Sequence, residues 1–168
     1  MTRLLCLFML TIFACGQPAE PAYLVMLETG GEDDCGYADP AGKIIVPPGK
    51  YAACLTDTLW HFAAVIKKEG GCAAIDKTGR ELYEIYWYDN GPDYISEGLF
   101  RMKQDGKIGY ADETGKIAIS PQFACAEPFV AGKARVALNC KLVRDGEMSV
   151  MESDEWFYID KNGKKISE

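Results

Sequence analysis

Apolar and polar residues alternate along this chain in short runs, and each run breaks at glycine. From 99 to 123 it reads LFRMKQDGKIGYADETGKIAISPQF, three alternating stretches divided by Asp105-Gly106 and by Glu113-Thr114-Gly115. A period of two puts one side of each run in a core, which predicts strands, and Asp-Gly between such runs is a strong hairpin signal. The pattern then recurs. Residues 35–43 read CGYADPAGK, 72–80 CAAIDKTGR, 108–116 IGYADETGK and 156–164 WFYIDKNGK. The aspartates Asp39, Asp76, Asp112 and Asp160 are spaced 37, 36 and 48 residues apart. Recurrence at that period means small supersecondary units that bury their apolar faces only by stacking.

Within one unit, two strands flank a turn whose glycine supplies a positive φ: Gly42, Gly79, Gly115 or Gly163. Pro121 and Pro48 are expected to end the second strand by removing a donor. A loop leads to ISEGLFRM (95–102) or FVAGKARV (129–136), where glycine precedes a third strand. Each unit is then three short antiparallel strands in about 36 residues. These residues resemble the WG repeat family, over about residues 24–166. The best copy combines Gly106, Ile108-Gly109-Tyr110, Asp112, Gly115-Lys116, Pro121, Phe123, Phe129, Gly132 and Val136. The namesake tryptophan is replaced by Cys35, Cys72 and Ile108 and is kept only as Trp156. The expected fold is all-β, a tandem array of antiparallel hairpin units, either an open solenoid or a curled sheet. Units fall near 35–71, 72–107 and 108–155, with a partial unit at 156–168.

The 48-residue interval has its extra length on both sides of one turn. That predicts a protruding ribbon, strands near 134–143 and 147–152, turned by Arg144-Asp145-Gly146. At the other end, 23–28 looks like the closing strand of an earlier repeat, turned into 34–39 by Gly30-Gly31.

Residues 1–14 have the layout of a secretory signal: Arg3, then the apolar run 4–13. That run is too short to span a bilayer, which takes roughly 20 apolar residues. Ile12-Phe13-Ala14-Cys15 resembles the lipobox of bacterial lipoproteins, although Phe13 departs from the small residues usual there. The resemblance implies lipidation of Cys15 and, with Gly16 behind it, passage to the outer membrane. Cleavage after 14–16 by ordinary signal peptidase would instead give a periplasmic or secreted protein. Residues 15–22 read as a polar tether to a β domain at 23–168.

The formal net charge is −7, and loss of Arg3 with the signal leaves 17 basic against 25 acidic residues. Such a surface repels nucleic acid and anionic lipid, so membrane attachment is expected through the N-terminal lipid alone. Glu32-Asp33-Asp34 lacks the spacing of a calcium loop and reads as a solvated turn. No Cys/His cluster suggests a metal, and no cofactor is implied.

Five cysteines remain: Cys35, Cys54, Cys72, Cys125 and Cys140. An odd number leaves one free or paired with another chain. Cys35 with Cys72, Cys54 with Cys72, and Cys125 with Cys140 are the candidate bridges. The single histidine, His61, has no nucleophile or orienting partner in any motif and reads as a loop residue. The repeated aspartates read as turn closers, with a cross-strand cation at Lys43, Arg80, Lys116 or Lys164. Glu97 matches the family's loop glutamate without a second carboxylate at glycosidase spacing. LYEIYWYDNGPDY (82–94) places aromatics on both faces of a strand. One face would leave Tyr86, Trp87, Tyr88 and Tyr94 near water, as sugar- or protein-binding surfaces do. The expected function is therefore non-enzymatic, a cell-envelope lipoprotein that binds a protein or glycan. A hydrolase or hydrolase inhibitor acting on cell-wall polysaccharide and a structural spacer are the alternatives.

Overall fold

The computed structural model describes residues 20–28, 35–88, 90–145 and 148–167. Over these the chain is all-β, without helix. The first unit and the strand before it comprise β1 (Leu24–Glu28), β2 (Cys35–Ala38), β3 (Ile44–Tyr51), β4 (Ala53–Cys54), β5 (Thr58–Leu59) and β6 (Ala63–Ile66). The second holds β7 (Cys72–Ile75), β8 (Glu81–Ile85), β9 (Trp87–Tyr88), β10 (Gly91–Pro92) and β11 (Leu99–Gln104). The third runs through β12 (Lys107–Asp112), β13 (Ile117–Phe123), β14 (Cys125–Ala126), β15 (Ala134–Ala137), β16 (Lys141–Asp145) and β17 (Met148–Glu152). The last copy contributes β18 (Phe157–Ile159) and β19 (Lys165–Ile166).

All pairings are antiparallel. A central sheet of order β13-β12-β11-β8-β7-β6-β4 is flanked by β3-β2-β1-β5 and β14-β15-β18-β19. The sheets connect at two bends: only Ala52 separates β3 from β4, and only Ala124 separates β13 from β14. In the first and third units the second strand therefore pairs with the first strand, bends, and pairs again with the unit's third strand, whereas in the second unit β8 pairs with both β7 and β11 within one sheet. Alternation sorts the side chains as expected. Tyr110, Ile119, Phe129, Val136 and Ile159 fill one core, Leu24, Tyr37, Val46, Leu59 and Ile75 a second, and Ile85, Phe100 and Met102 a third.

The hairpin signals hold. Gln104 pairs with Lys107 around Asp105 and Gly106, both at positive φ (52° and 74°), as a two-residue primed turn requires. β1 pairs with β2, with Glu28 opposite Cys35, as the closing-strand reading predicts. Gly30-Gly31 and Glu32-Asp33-Asp34 lie outside the described residues, as do the signal at 1–14, Cys15 and the tether up to residue 19.

Three expectations change. Pro48 and Pro121 do not end their strands, because β3 and β13 run through them. The prolines occupy bulges: between Tyr37↔Val46 and Cys35↔Tyr51, and between Tyr110↔Ile119 and Ile108↔Phe123, the second strand carries extra residues. A bulge leaves donors unpaired, so proline loses nothing there. The predicted arm at 134–143 is two strands, broken where Cys140 bonds Cys125. Its ribbon is β16 with β17, register Lys141↔Glu152 to Asp145↔Met148, and the Gly146 of the expected turn lies outside the described residues. Finally, Cys35 bonds Cys54 (Cα–Cα 5.9 Å) and Cys72 is a free, buried thiol, which excludes both Cys35–Cys72 and Cys54–Cys72. Cys35 and Cys72 hold the same place in successive units, and a disulfide joins a unit to its own bent strand instead. Of the candidate bridges Cys125–Cys140 is present (Cα–Cα 5.5 Å).

Candidate functional site

The repeated aspartates act within their turns. Asp39 Oδ1 accepts from Ala41 N and Lys43 N (both 2.9 Å), and Asp112 Oδ1 from Thr114 N (2.9 Å) and Lys116 N (3.1 Å). Asp76 and Asp160 repeat this on Thr78 and Arg80, and on Asn162 and Lys164. The Thr114 hydroxyl and two backbone N–H groups hold the Asp112 carboxyl below the usual carboxylate range. Partial burial of Asp76 opposes the same shift, and the Thr78 and Arg80 donors outweigh it. Asp160 is lowered by the N–H groups of Lys164 and Asn162. Arg80 adds a charge contact to Asp76 (3.1 Å). At Lys43, Lys116 and Lys164 the bond to aspartate comes from the backbone N–H, so the turn is held by the main chain more than by a cation.

Glu97 is a splice between units. Its Oε2 accepts from Gly132 N (3.0 Å) in the next loop and meets Lys161 Nζ (3.2 Å) in the last turn. Ser96 Oγ donates to Phe129 O beside it (2.6 Å). These contacts account for the loop glutamate without a substrate. His61 is exposed beside Trp60, whose ring lies 4.6 Å from Tyr23.

The aromatic stretch is organised by an ion pair. After β8 the chain inserts a small hairpin, β9 against β10, with Tyr88 opposite Gly91 and Trp87 opposite Pro92. The hairpin returns at Asp93, whose Oδ2 accepts from Arg101 N (2.8 Å) and Nε (3.0 Å) and whose Oδ1 accepts from Nη2 (2.6 Å). Both side chains are sealed, 3% and 1% exposed. The guanidinium also donates to Ala126 O (3.0 Å) and stacks under Tyr86 (4.4 Å) and Tyr88 (5.1 Å). Tyr94 meets Tyr88 edge-on at 6.0 Å. The structure thus brings Tyr86 and Tyr88 together over one cation, with Tyr94 against Tyr88. As adjacent residues of a strand, Trp87 and Tyr88 point to opposite faces. Trp87, Tyr88, Tyr94 and Ile95 remain exposed, and Tyr86 is half-buried.

Asp93 and Arg101 carried no signal in the alternation, yet the third unit has the same pair eight residues apart, Glu127 and Arg135. In the first unit the Thr56 hydroxyl takes the acid's place and accepts from Ala64 N (3.0 Å). The equivalence was readable from spacing in two steps: Thr56 and Asp93 each stand 14 residues after their turn glycine, Gly42 or Gly79, and Asp93 and Glu127 each stand 5 residues before their loop glycine, Gly98 or Gly132.

A groove of about 380 Å³ lies at the base of the β16–β17 ribbon among Asn139, Cys140, Lys141 and Glu152 to Glu155. It is open and does not reach the aromatic patch. Burial pushes the Cys72 thiol up to about 11. No described group of His, Cys, Asp and Glu is placed to hold a metal ion, and no described helix is long and apolar enough to cross a membrane.

No curated protein matches the chain. Residues 108–141 match the family model of the WG-containing repeat, covering the third unit from its first strand to the base of its ribbon. The segment that carries the fullest set of turn glycines, aspartate, proline and aromatics in this sequence is therefore the one similar to a WG-containing repeat.

Proposed function

We propose that this chain is a non-enzymatic binding protein of the cell envelope. A lipid on Cys15 holds it to a membrane, and the repeat surface takes a protein or glycan partner that grips the β9–β10 hairpin, Tyr88 with Tyr94 on one face and Trp87 on the other. One observation carries the reading: amphipathic rings stay exposed on a hairpin whose base is fixed by the sealed Asp93–Arg101 pair. Rings presented from a rigid base lose little conformational freedom on binding, which favours them as contact residues. Neutral or cationic partners suit the acidic surface best. The units continue as an open stack in this reading, because the turns at Gly79, Gly115 and Gly163 each rest on residues of an earlier unit.

Trp87 and Tyr94 are the positions to test, since Tyr86 and Tyr88 also shield Arg101. Envelope proteins and glycans are captured on the wild-type chain, and the retained species are then titrated against Trp87→Ala and Tyr94→Ala. A loss of at least about tenfold, the effect of one contact worth about 1.4 kcal/mol, is expected for each. Unchanged capture by both variants overturns the aromatic surface.

A further inference from the structure

Two pairs of residues that face each other across strands are closed in the same way. Met26 lies opposite Tyr37, and Arg101 lies opposite Tyr110. Met26 N donates to Asp57 O (2.8 Å) and Tyr37 Oη to Thr56 O (2.7 Å). Arg101 Nη1 donates to Ala126 O (3.0 Å) and Tyr110 Oη to Glu127 O (2.7 Å). Each pair takes two successive carbonyls from a segment that follows a bend, at Ala52 or at Ala124.

Arg135 and Tyr158 repeat the second pair, opposite each other in β15 and β18. Among the described residues no carbonyl reaches their side chains. There Tyr158 Oη makes no hydrogen bond, Arg135 donates to Glu127 alone, and its buried Nε has no acceptor. The Arg101 side chain is sealed, whereas that of Arg135 is 41% exposed and Tyr158 is half-buried. The donors that Arg101 and Tyr110 spend on Ala126 and Glu127 are left on offer in the last copy.

The same place has also changed its charge. Lys133 stands where the second unit has Leu99, each one residue before a matched pair, Ala134↔Ile159 and Phe100↔Ala111. Leu99 is buried, and the Tyr110 ring beside it is met edge-on by Phe129 at 4.9 Å. The Tyr158 ring is met instead by Lys133 Nζ, at 4.2 Å. The neighbouring carboxylate, Glu127, is taken up by Arg135. A cation in place of an apolar contact selects an acid in the segment that covers it. We infer that Arg135, Tyr158 and Lys133 dock an extended acidic peptide of a partner protein. Two successive carbonyls of the peptide accept from Arg135 and Tyr158, as Ala126 O and Glu127 O do within the chain, and a carboxylate two residues on faces Lys133. Main-chain bonds supply the affinity and the acid the specificity. The site shares no residue with the aromatic hairpin, so the two readings fail separately.

The probe is a fluorescein-labelled peptide with the sequence of residues 121–130, carrying Cys125→Ser against disulfide exchange and Phe129→Glu to face Lys133. Titrated with the full chain and followed by fluorescence anisotropy, it should show saturable binding of one peptide per chain. Tyr158→Phe in the chain removes one hydrogen bond and should weaken binding about three- to tenfold. Lys133→Glu should weaken it by at least about tenfold, and so should Phe129→Lys in the peptide against the wild-type chain. Lys133→Gln, with a smaller loss, serves where Lys133→Glu fails to fold by circular dichroism. Tyr37→Phe should leave the affinity unchanged, since that hydroxyl is already bonded to Thr56 O. Absence of saturable binding overturns the inference and makes the last copy a solvated cap. So does binding that Tyr158→Phe and the Lys133 variant leave unchanged, or that Tyr37→Phe weakens as much as Tyr158→Phe, either of which places the peptide elsewhere.

Discussion

The second and third units solve the same packing problem with different chemistry. In the third, Gly109 lies against the bulged β13. A Cβ there would stand 2.5 Å from Ile119 O and 2.7 Å from Pro121 N, so only glycine fits. The second unit has Ala73 at that place, because β8 runs past it without extra residues, in simple register Ala73↔Glu84 and Ala74↔Tyr83. Tyr110 reaches across the third unit to Glu127 O (2.7 Å), where the second has only Ala74 and fills the space by burying Asp93 with Arg101. Bulge, proline and glycine thus form one device, and an enclosed ion pair under tyrosines forms another. A repeat tolerates loss of its signature when an alternative filling satisfies the same donors and volume.

The contrast is sharpest in the two acid–arginine pairs. Asp93→Ala leaves Arg101 buried without its counter-ion, and chemical denaturation should register a loss of about 3–5 kcal/mol. Glu127→Ala removes a half-exposed partner and should cost no more than about 1 kcal/mol. Equal losses would mean that solvent reaches both pairs alike. The glycine comparison comes next. Gly109→Ala forces backbone apart and should cost about 1–3 kcal/mol by the same measurement, whereas Ala73→Gly should cost about 0.5–1 kcal/mol through chain entropy alone. A tolerated Gly109→Ala would show that β13 can slide.

The smallest effect is pH dependence in the turns. Asp76, Asp112 and Asp160 are lowered in the folded chain. Their contribution is therefore complete above the unfolded value near 3.9 and is lost as pH falls through the lower folded value. Unfolding midpoints should decline below about pH 4, and Asp112→Asn should flatten part of that slope. A midpoint independent of pH across that range would remove the turn carboxylates from the account.

What the sequence made legible follows from local rules. Turn glycines, Asp-Gly and alternation are backbone requirements written in single residues, so the hairpins at Asp105-Gly106 and around Asp112 to Gly115 could be placed. The ribbon was visible as paired excess length. The disulfide pattern was not, because Cys54 meets Cys35 only after the chain bends at Ala52, and alternation carries no signal for a bend. The prolines misled for the same reason: a bulge and a strand end both lack a donor requirement, and only the pairing register separates them. At the aromatic patch, Tyr86, Trp87, Tyr88 and Tyr94 could be named, but the cation beneath Tyr86 and Tyr88 could not. Arg101 sits in a run that otherwise reads as an ordinary strand.

Sealing Cys72 also bears on how the bridges find their partners. Once the central sheet closes over that thiol, four of the five cysteines of the described residues remain to oxidise, and four allow only three pairings. Oxidation before the sheet forms would have to sort all five of these. Refolding with the thiols reduced, then admitting oxidant, should therefore give Cys35–Cys54 with Cys125–Cys140 in higher yield than oxidation in denaturant. In that order of events the odd cysteine is protected by collapse instead of by a bond.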